Sequence, residues 1–135
     1  MQNAGQAWLL VGAVLAGLAV ACGAFGAHGL KSHLSEDGRL SEAGQQQLAN
    51  WETAARYQMY HALAVVAVGI LSLGGRRALL DAAAGSFTVG TMIFSGCLFL
   101  LVLSGQRWLG AVVPIGGLLL IVGWICLAVA AVRGT

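Results

Sequence analysis

Twenty consecutive residues, Trp8 to Ala27, contain no charged side chain. About 20 apolar residues suffice to cross the roughly 30 Å hydrocarbon layer of a bilayer as a helix. Three further stretches, at about 51–73, 79–103 and 108–132, are also long and largely apolar, although the second span holds Glu52, Arg56 and His61 and the third begins near Asp81. With 59% hydrophobic and 9% charged residues and a mean hydropathy of +0.84, the chain lacks the polar groups to cover a water-facing surface, since soluble domains carry about 25% charged residues. Its natural solvent is the lipid bilayer. The expected fold class is an all-α integral membrane protein. Specifically, it is an antiparallel up-down four-transmembrane-helix bundle with a short amphipathic helix in the first loop. One domain, residues 1–135, accounts for the length.

Small residues mark where helices can approach closely, because backbone-to-backbone packing replaces the hydrophobic force inside lipid. In the first span they recur at Gly12, Ala16, Ala19, Gly23 and Gly26. The third span carries Gly90 and Gly96. The fourth carries two seven-residue pairs, Gly110 with Gly117 and Gly116 with Gly123. Pro114 removes one backbone hydrogen bond there and is expected to bend the helix. Trp8 suits an interfacial anchor. The lack of Lys or Arg ahead of it argues against a cleaved signal peptide. Cys22, Cys97 and Cys126 are odd in number and unpaired in spacing, so they read as small buried hydrophobes rather than a disulfide framework.

Residues 28–50 form the only long polar stretch. Ser35-Glu36-Asp37-Gly38 reads as a turn in which Gly38 takes a positive φ. Ser41 reads as a helix N-cap, with Asn50 as a second candidate. From there Leu40, Gly44, Leu48, Trp51 and Ala55 repeat at helical spacing, as in a short amphipathic helix that lies at the interface or leads directly into the next span. Glu52 and Arg56, four apart, are placed to form an interfacial ion pair. Gly74-Gly75 is expected to end the second span, and Arg76-Arg77 to mark a tight basic turn. With four spans both termini lie on one side. The basic residues nearly balance across the membrane, tipping toward termini inside only through Arg76-Arg77.

The chemistry-bearing residues are few. His28 closes the first span and His61 lies ten residues into the second, with Tyr57 and Gln58 within one turn of it. An ionisable side chain at membrane depth is costly and finds partners inside the protein. His28, Tyr57, Gln58 and His61 therefore form the candidate polar cluster. A neutral His61 bonding to Tyr57, to a backbone carbonyl or to His28 serves a structural role. A proton or solute pathway, or a metal or haem site, would use the same residues, but no third ligand is evident. No catalytic motif is present, so no enzyme activity, cofactor or metal is expected. The scattered basic residues give no nucleic-acid footprint. The expected partners are the lipid bilayer and either further copies of the chain, as a homo-oligomer, or a larger membrane complex.

The motif Gly23-Ala24-Phe25-Gly26-Ala27-His28-Gly29-Leu30, then Trp51-Glu52-Thr53-Ala54, Tyr57 and His61-Ala62-Leu63, resembles the first half of a known family. Phe94-Ser95-Gly96-Cys97-Leu98-Phe99, Leu109-Gly110, Pro114-Ile115-Gly116-Gly117 and Gly123-Trp124 resemble its second half. The family is that of the YgdD/YwdK-like small bacterial membrane proteins, domain-of-unknown-function family four-two-three. The resemblance covers nearly the whole chain and implies a four-span protein of the bacterial inner (plasma) membrane. It carries no activity, cofactor or catalytic residue. The chain departs from the family pattern at Cys97, where a small hydroxyl residue is usual, and at Val113, where a Thr is usual. The expected function is a structural or accessory component of a membrane assembly.

Overall fold

The computed structural model describes residues 4–74 and 78–133. Helix α1 runs Ala4–Phe25 and continues without a break through a π-helical turn, Gly26–Leu30, into α2, Lys31–Leu34. A two-residue-per-strand hairpin follows, β1 Ser35–Glu36 against β2 Arg39–Leu40. Then come α3, Glu42–Leu71, α4, Ala78–Ser104, and α5, Leu109–Arg133. Among the described residues, three helical segments are long and apolar enough to cross a membrane: Ala4–Leu34, Ala78–Ser104 and Leu109–Arg133.

The first polar stretch is far more helical than its composition suggests. Within 28–50, non-helical backbone is confined to 35–41. The short amphipathic helix expected after Ser41 is present as the first turns of the thirty-residue α3 and leads directly into the next segment. Polar residues mark where a helix leaves apolar surroundings, not where its hydrogen-bond ladder stops. Ser41 caps α3 as expected, its hydroxyl accepting from the Gly44 amide at 3.1 Å. Asn50 lies inside α3 and caps nothing; its side chain accepts from Gln46 at 2.9 Å. Asp37 (φ 49°) and Gly38 (φ 75°) both lie in the left-handed region, the arrangement of the two-residue hairpin turn for which Asp-Gly is suited. Helix α3 ends at Leu71 rather than 73. The expected Gly75, Arg76 and Arg77 turn lies outside the described residues. Gly105, at φ 69°, closes α4, its amide bonding the Leu101 carbonyl at 2.9 Å.

Neighbours in sequence pack side by side: α1 on α3, α3 on α4, α4 on α5. A seven-residue repeat of small residues makes the first of these seams. Gly5, Gly12, Ala19 and Gly26 are the buried residues of α1 and its π turn, together with Leu30. Cβ atoms added at Gly5 and Gly12 would lie 2.7 Å from the Gly69 carbonyl oxygen and 2.9 Å from that of Ala62. Leu15 then meets Gln58, and Cys22 meets Trp51. Contacts descend along α3 as they ascend along α1, so the two chain directions are opposed. Helix α5 repeats the device with Leu109, Gly116, Gly123 and Ala130, all buried. A Cβ at Gly116 would lie 2.5 Å from the Phe94 amide nitrogen and one at Gly123 2.6 Å from the Phe87 ring.

Only some of the glycines expected at packing seams lie there. Gly12, Gly26, Gly90, Gly116 and Gly123 do; around Gly23, Gly96 and Gly110 nothing lies within 4 Å, and Gly117 makes ordinary contact with Phe94 at 3.8 Å. A smooth helix face permits close approach, but the neighbour decides which smooth face is used. The Gly5–Gly69 crossing was not anticipated. The core between these seams holds Val65, Val68, Leu80, Ala83, Ala84, Phe87 and Leu120. Trp8 packs beside it and donates its indole N–H to Asp81 at 2.9 Å, joining α1 to the first turn of α4.

A histidine held between three helices

Helix α3 is flanked by α1 and α4, so its inward face is enclosed by protein. That is where Gln58 and His61 point, at 6% and 5% exposure. Gln58 turns toward α1 and donates its amide to the Leu15 carbonyl at 2.9 Å. His61 faces the other way. Its Nδ1 lies 2.7 Å from the Tyr57 carbonyl oxygen, and its Nε2 lies 3.2 Å from the Trp124 indole nitrogen.

These two distances fix the protonation of the ring. An indole N–H only donates. Nε2 must therefore accept and carry no proton, which leaves the proton on Nδ1, donated to the Tyr57 carbonyl. His61 is a neutral imidazole with both nitrogens engaged. Rings close around it: Phe87 at 5.7 Å between centroids, Tyr57 at 6.0 Å and Trp124 at 6.1 Å. Phe87 and Trp124 meet edge-on at 4.9 Å, and Tyr57 stacks on Phe94 at 4.8 Å, both within the range of favourable aromatic pairs.

The four members of the expected polar cluster are not brought together. Tyr57 and His61 touch through their rings. Gln58 faces a different helix. His28 is exposed on the π turn, beside Gly26, which packs on Trp51. His61 lies ten residues beyond Trp51 on α3, which at 1.5 Å per residue places it about 15 Å further along the helix axis. Glu52 and Arg56 are both exposed and no ion pair joins them. Among the described residues no group of three His, Cys, Asp or Glu side chains is placed to hold a metal ion.

Sequence reasoning missed Trp124 as the partner of His61. The two are 63 positions apart, and an indole in an apolar helix gives no signal of where its N–H points. It also missed two buried hydroxyls on α4. Ser95 donates to the Ala54 carbonyl at 2.8 Å, whereas the hydroxyl oxygen of Thr91, at 2% exposure, has no partner among the described residues. A second aromatic group, Phe25, Trp51 and Phe99, closes the other end of the α1–α3–α4 seam. There the Trp51 indole donates to the Cys22 carbonyl at 2.7 Å.

Beside the His61–Trp124 contact a groove of about 490 Å³ opens on the outer surface, walled by residues that include Tyr57, Phe94, Pro114, Gly117, Ile121 and Trp124. Pro114 lies in the second turn of α5, which runs on through it. Having no N–H, Pro114 leaves the Gly110 carbonyl without its helical partner near this groove. The lining is otherwise apolar, and Trp124 remains 48% exposed along it.

Comparison with known proteins gives a consistent picture. A family described as "Protein of unknown function (DUF423)" matches residues 22–117. A UPF0382 membrane protein of Staphylococcus aureus is 41% identical over 123 residues, covering 91% of this chain and 93% of its own. Another, from Staphylococcus epidermidis, is 38% identical over 128 residues, covering 95% and 97%. A third, from Staphylococcus saprophyticus, is 40% identical over 124 residues, covering 92% and 95%. No solved structure matches the chain. The matched family spans most of the chain, and relatives named as membrane proteins align along nearly all of it. The protein belongs to the DUF423 family of membrane proteins of unknown function.

Proposed function

We propose that the chain is a four-span, multi-pass protein of the bacterial plasma membrane that serves as a structural or accessory component of a membrane assembly. Helix α3 is the crossing that needs argument, because its polar content sets it apart from the three apolar segments. It lies against α1 from Gly69 to Trp51 and against α4 from Trp51 to His61. A helix packed between two membrane-spanning neighbours occupies the same layer. Its buried Gln58 bonds to the Leu15 carbonyl of α1, and its buried His61 to the Tyr57 carbonyl of α3 itself and to the Trp124 indole of α5, so both are satisfied within the protein, as lipid requires. The four helices then form an up-down bundle.

The observation that carries the structural reading is the engagement of both His61 nitrogens. A relay or a ligand needs a free lone pair or an exchangeable proton, and His61 offers neither without breaking a bond. The alternative of a solute or proton pathway lined by His28, Tyr57 and His61 has the further difficulty that His28 is displaced toward the rim. The metal or haem alternative lacks a convergent set of ligands among the described residues. The open groove beside Trp124 supports assembly, since it is a concave apolar surface that a partner helix would fill, either from a second copy or from a larger complex.

Native mass spectrometry and crosslinking of the protein purified in mild detergent test this reading. A homo-oligomer or a reproducible stoichiometric complex is expected, with crosslinks through the face bearing Ile121 and Trp124. A monomer without co-purifying protein would contradict it.

A further inference from the structure

An open depression of about 520 Å³, its lining half polar and half apolar, lies at the other end of the α1 seam, walled by Ala27, His28, Lys31, Ser32, Ser35 and Gly38. We propose that it binds a phosphate-bearing anion at the membrane rim, the phosphodiester of a lipid headgroup or free inorganic phosphate being the two sources. The inference needs α1 to lie in a bilayer. It does not depend on assembly or on α3 as a crossing.

Position is the first argument. The charge-free run of α1 ends at Ala27, and His28 is the next residue. The cavity therefore opens where acyl chains give way to phosphates. Charge is the second. Lys31 brings an ammonium with three donors, Ser32 a hydroxyl and His28 an imidazole. No carboxylate lines the cavity. The acids nearest in sequence, Glu36 and Asp37, are on the hairpin, and Glu36 lines a separate cavity with Arg39.

The third argument is that the walls are fixed. The turn bearing His28 is π-helical, a local widening frequently found at functional sites. A Cβ at Gly26 would lie 2.5 Å from the Trp51 ring, and one at Gly29 2.9 Å from the Phe25 ring. Aromatic rings thus hold this turn on two sides while His28 stays open to the cavity. On the opposite wall the Ser35 hydroxyl donates to the Lys31 carbonyl at 2.7 Å, joining the hairpin to the helix end.

The test is titration of the whole protein in a neutral detergent, followed by native mass spectrometry. Three probes are compared: short-chain phosphatidylglycerol, inorganic phosphate, and short-chain diacylglycerol, which lacks phosphate. One saturable equivalent of phosphatidylglycerol is expected, weakened about fivefold in Lys31→Gln and also in His28→Gln, and unchanged in Arg39→Gln. Saturable inorganic phosphate with the same dependence identifies free phosphate as a ligand. Binding of the lipid alone identifies the headgroup. Ser32→Ala, a small change at an exposed position, carries the test if Lys31→Gln fails to fold. Equal binding of diacylglycerol, equal weakening by Lys31→Gln and Arg39→Gln, or no saturable binding of either phosphate probe would overturn the proposal.

Discussion

The indole N–H of Trp124 on α5 points at Nε2 of His61 on α3, 3.2 Å away, while Nδ1 of the same ring reaches the Tyr57 carbonyl at 2.7 Å. One side chain thereby links two helices that otherwise share little backbone contact. Interhelical hydrogen bonds in membrane proteins are worth about 0.6 kcal/mol on average and up to about 1.7. A double-mutant cycle of His61→Phe and Trp124→Phe, read as unfolding free energy in mixed micelles, is expected to give a coupling in that range. Strictly additive effects would remove the link.

The glycine seams predict a sharp contrast between similar substitutions. A methyl group at Gly116 meets the backbone of α4 at 2.5 Å, and one at Gly12 meets the backbone of α3 at 2.8 Å. Backbone cannot turn aside as a side chain does, so Gly116→Ala and Gly12→Ala each cost about 1–3 kcal/mol, as overpacking does. Gly23→Ala and Gly96→Ala add a methyl to open space and leave stability unchanged or slightly raised. Thermal unfolding of the four variants in one detergent distinguishes the two pairs.

The two buried hydroxyls of α4 behave oppositely. Ser95 donates to the Ala54 carbonyl, so Ser95→Ala loses an interhelical bond and about 0.6–1.7 kcal/mol. The Thr91 hydroxyl has no partner among the described residues, and Thr91→Val replaces it by a methyl of similar shape. That change is expected to be neutral or stabilising, because it removes an unsatisfied buried group. A clear loss of stability in Thr91→Val would reveal a bonding partner for the hydroxyl.

At the hairpin, Ser41 accepts from the Gly44 amide and satisfies one orphan donor at the start of α3. Ser41→Ala is expected to cost about 1 kcal/mol and Ser41→Asp to restore most of it. Hydrogen exchange at the first turn of α3 reads the effect locally.

The sequence displayed its local chemistry and concealed its pairings. Ser41 as a cap and Gly38 at positive φ follow from what single residues do to their own backbone, and both were legible. The ends of α1 and α3 were not, because the charge of Lys31 or Glu42 marks contact with water and says nothing of helical hydrogen bonding. The seams were half legible. Gly116 and Gly123 are used while Gly110 and Gly117, a pair with the same seven-residue spacing six positions earlier, are not, and only the position of α4 separates them. His61 announced itself as an ionisable group at membrane depth. Its partner Trp124 gave no sign, because long-range pairing depends on which faces of α3 and α5 meet.

If α3 crosses the membrane with the other three helices, the start of α1 and the end of α5 lie on one side and the Asp37-Gly38 turn on the other. In a background with Cys22, Cys97 and Cys126 replaced by Ala, single cysteines at Ala4, Asp37 and Arg133 are labelled in intact cells with a membrane-impermeant maleimide. Four crossings make Ala4 and Arg133 label alike and Asp37 label in the opposite sense. Opposite labelling of Ala4 and Arg133 means an odd number of crossings and rules out α3 as the fourth.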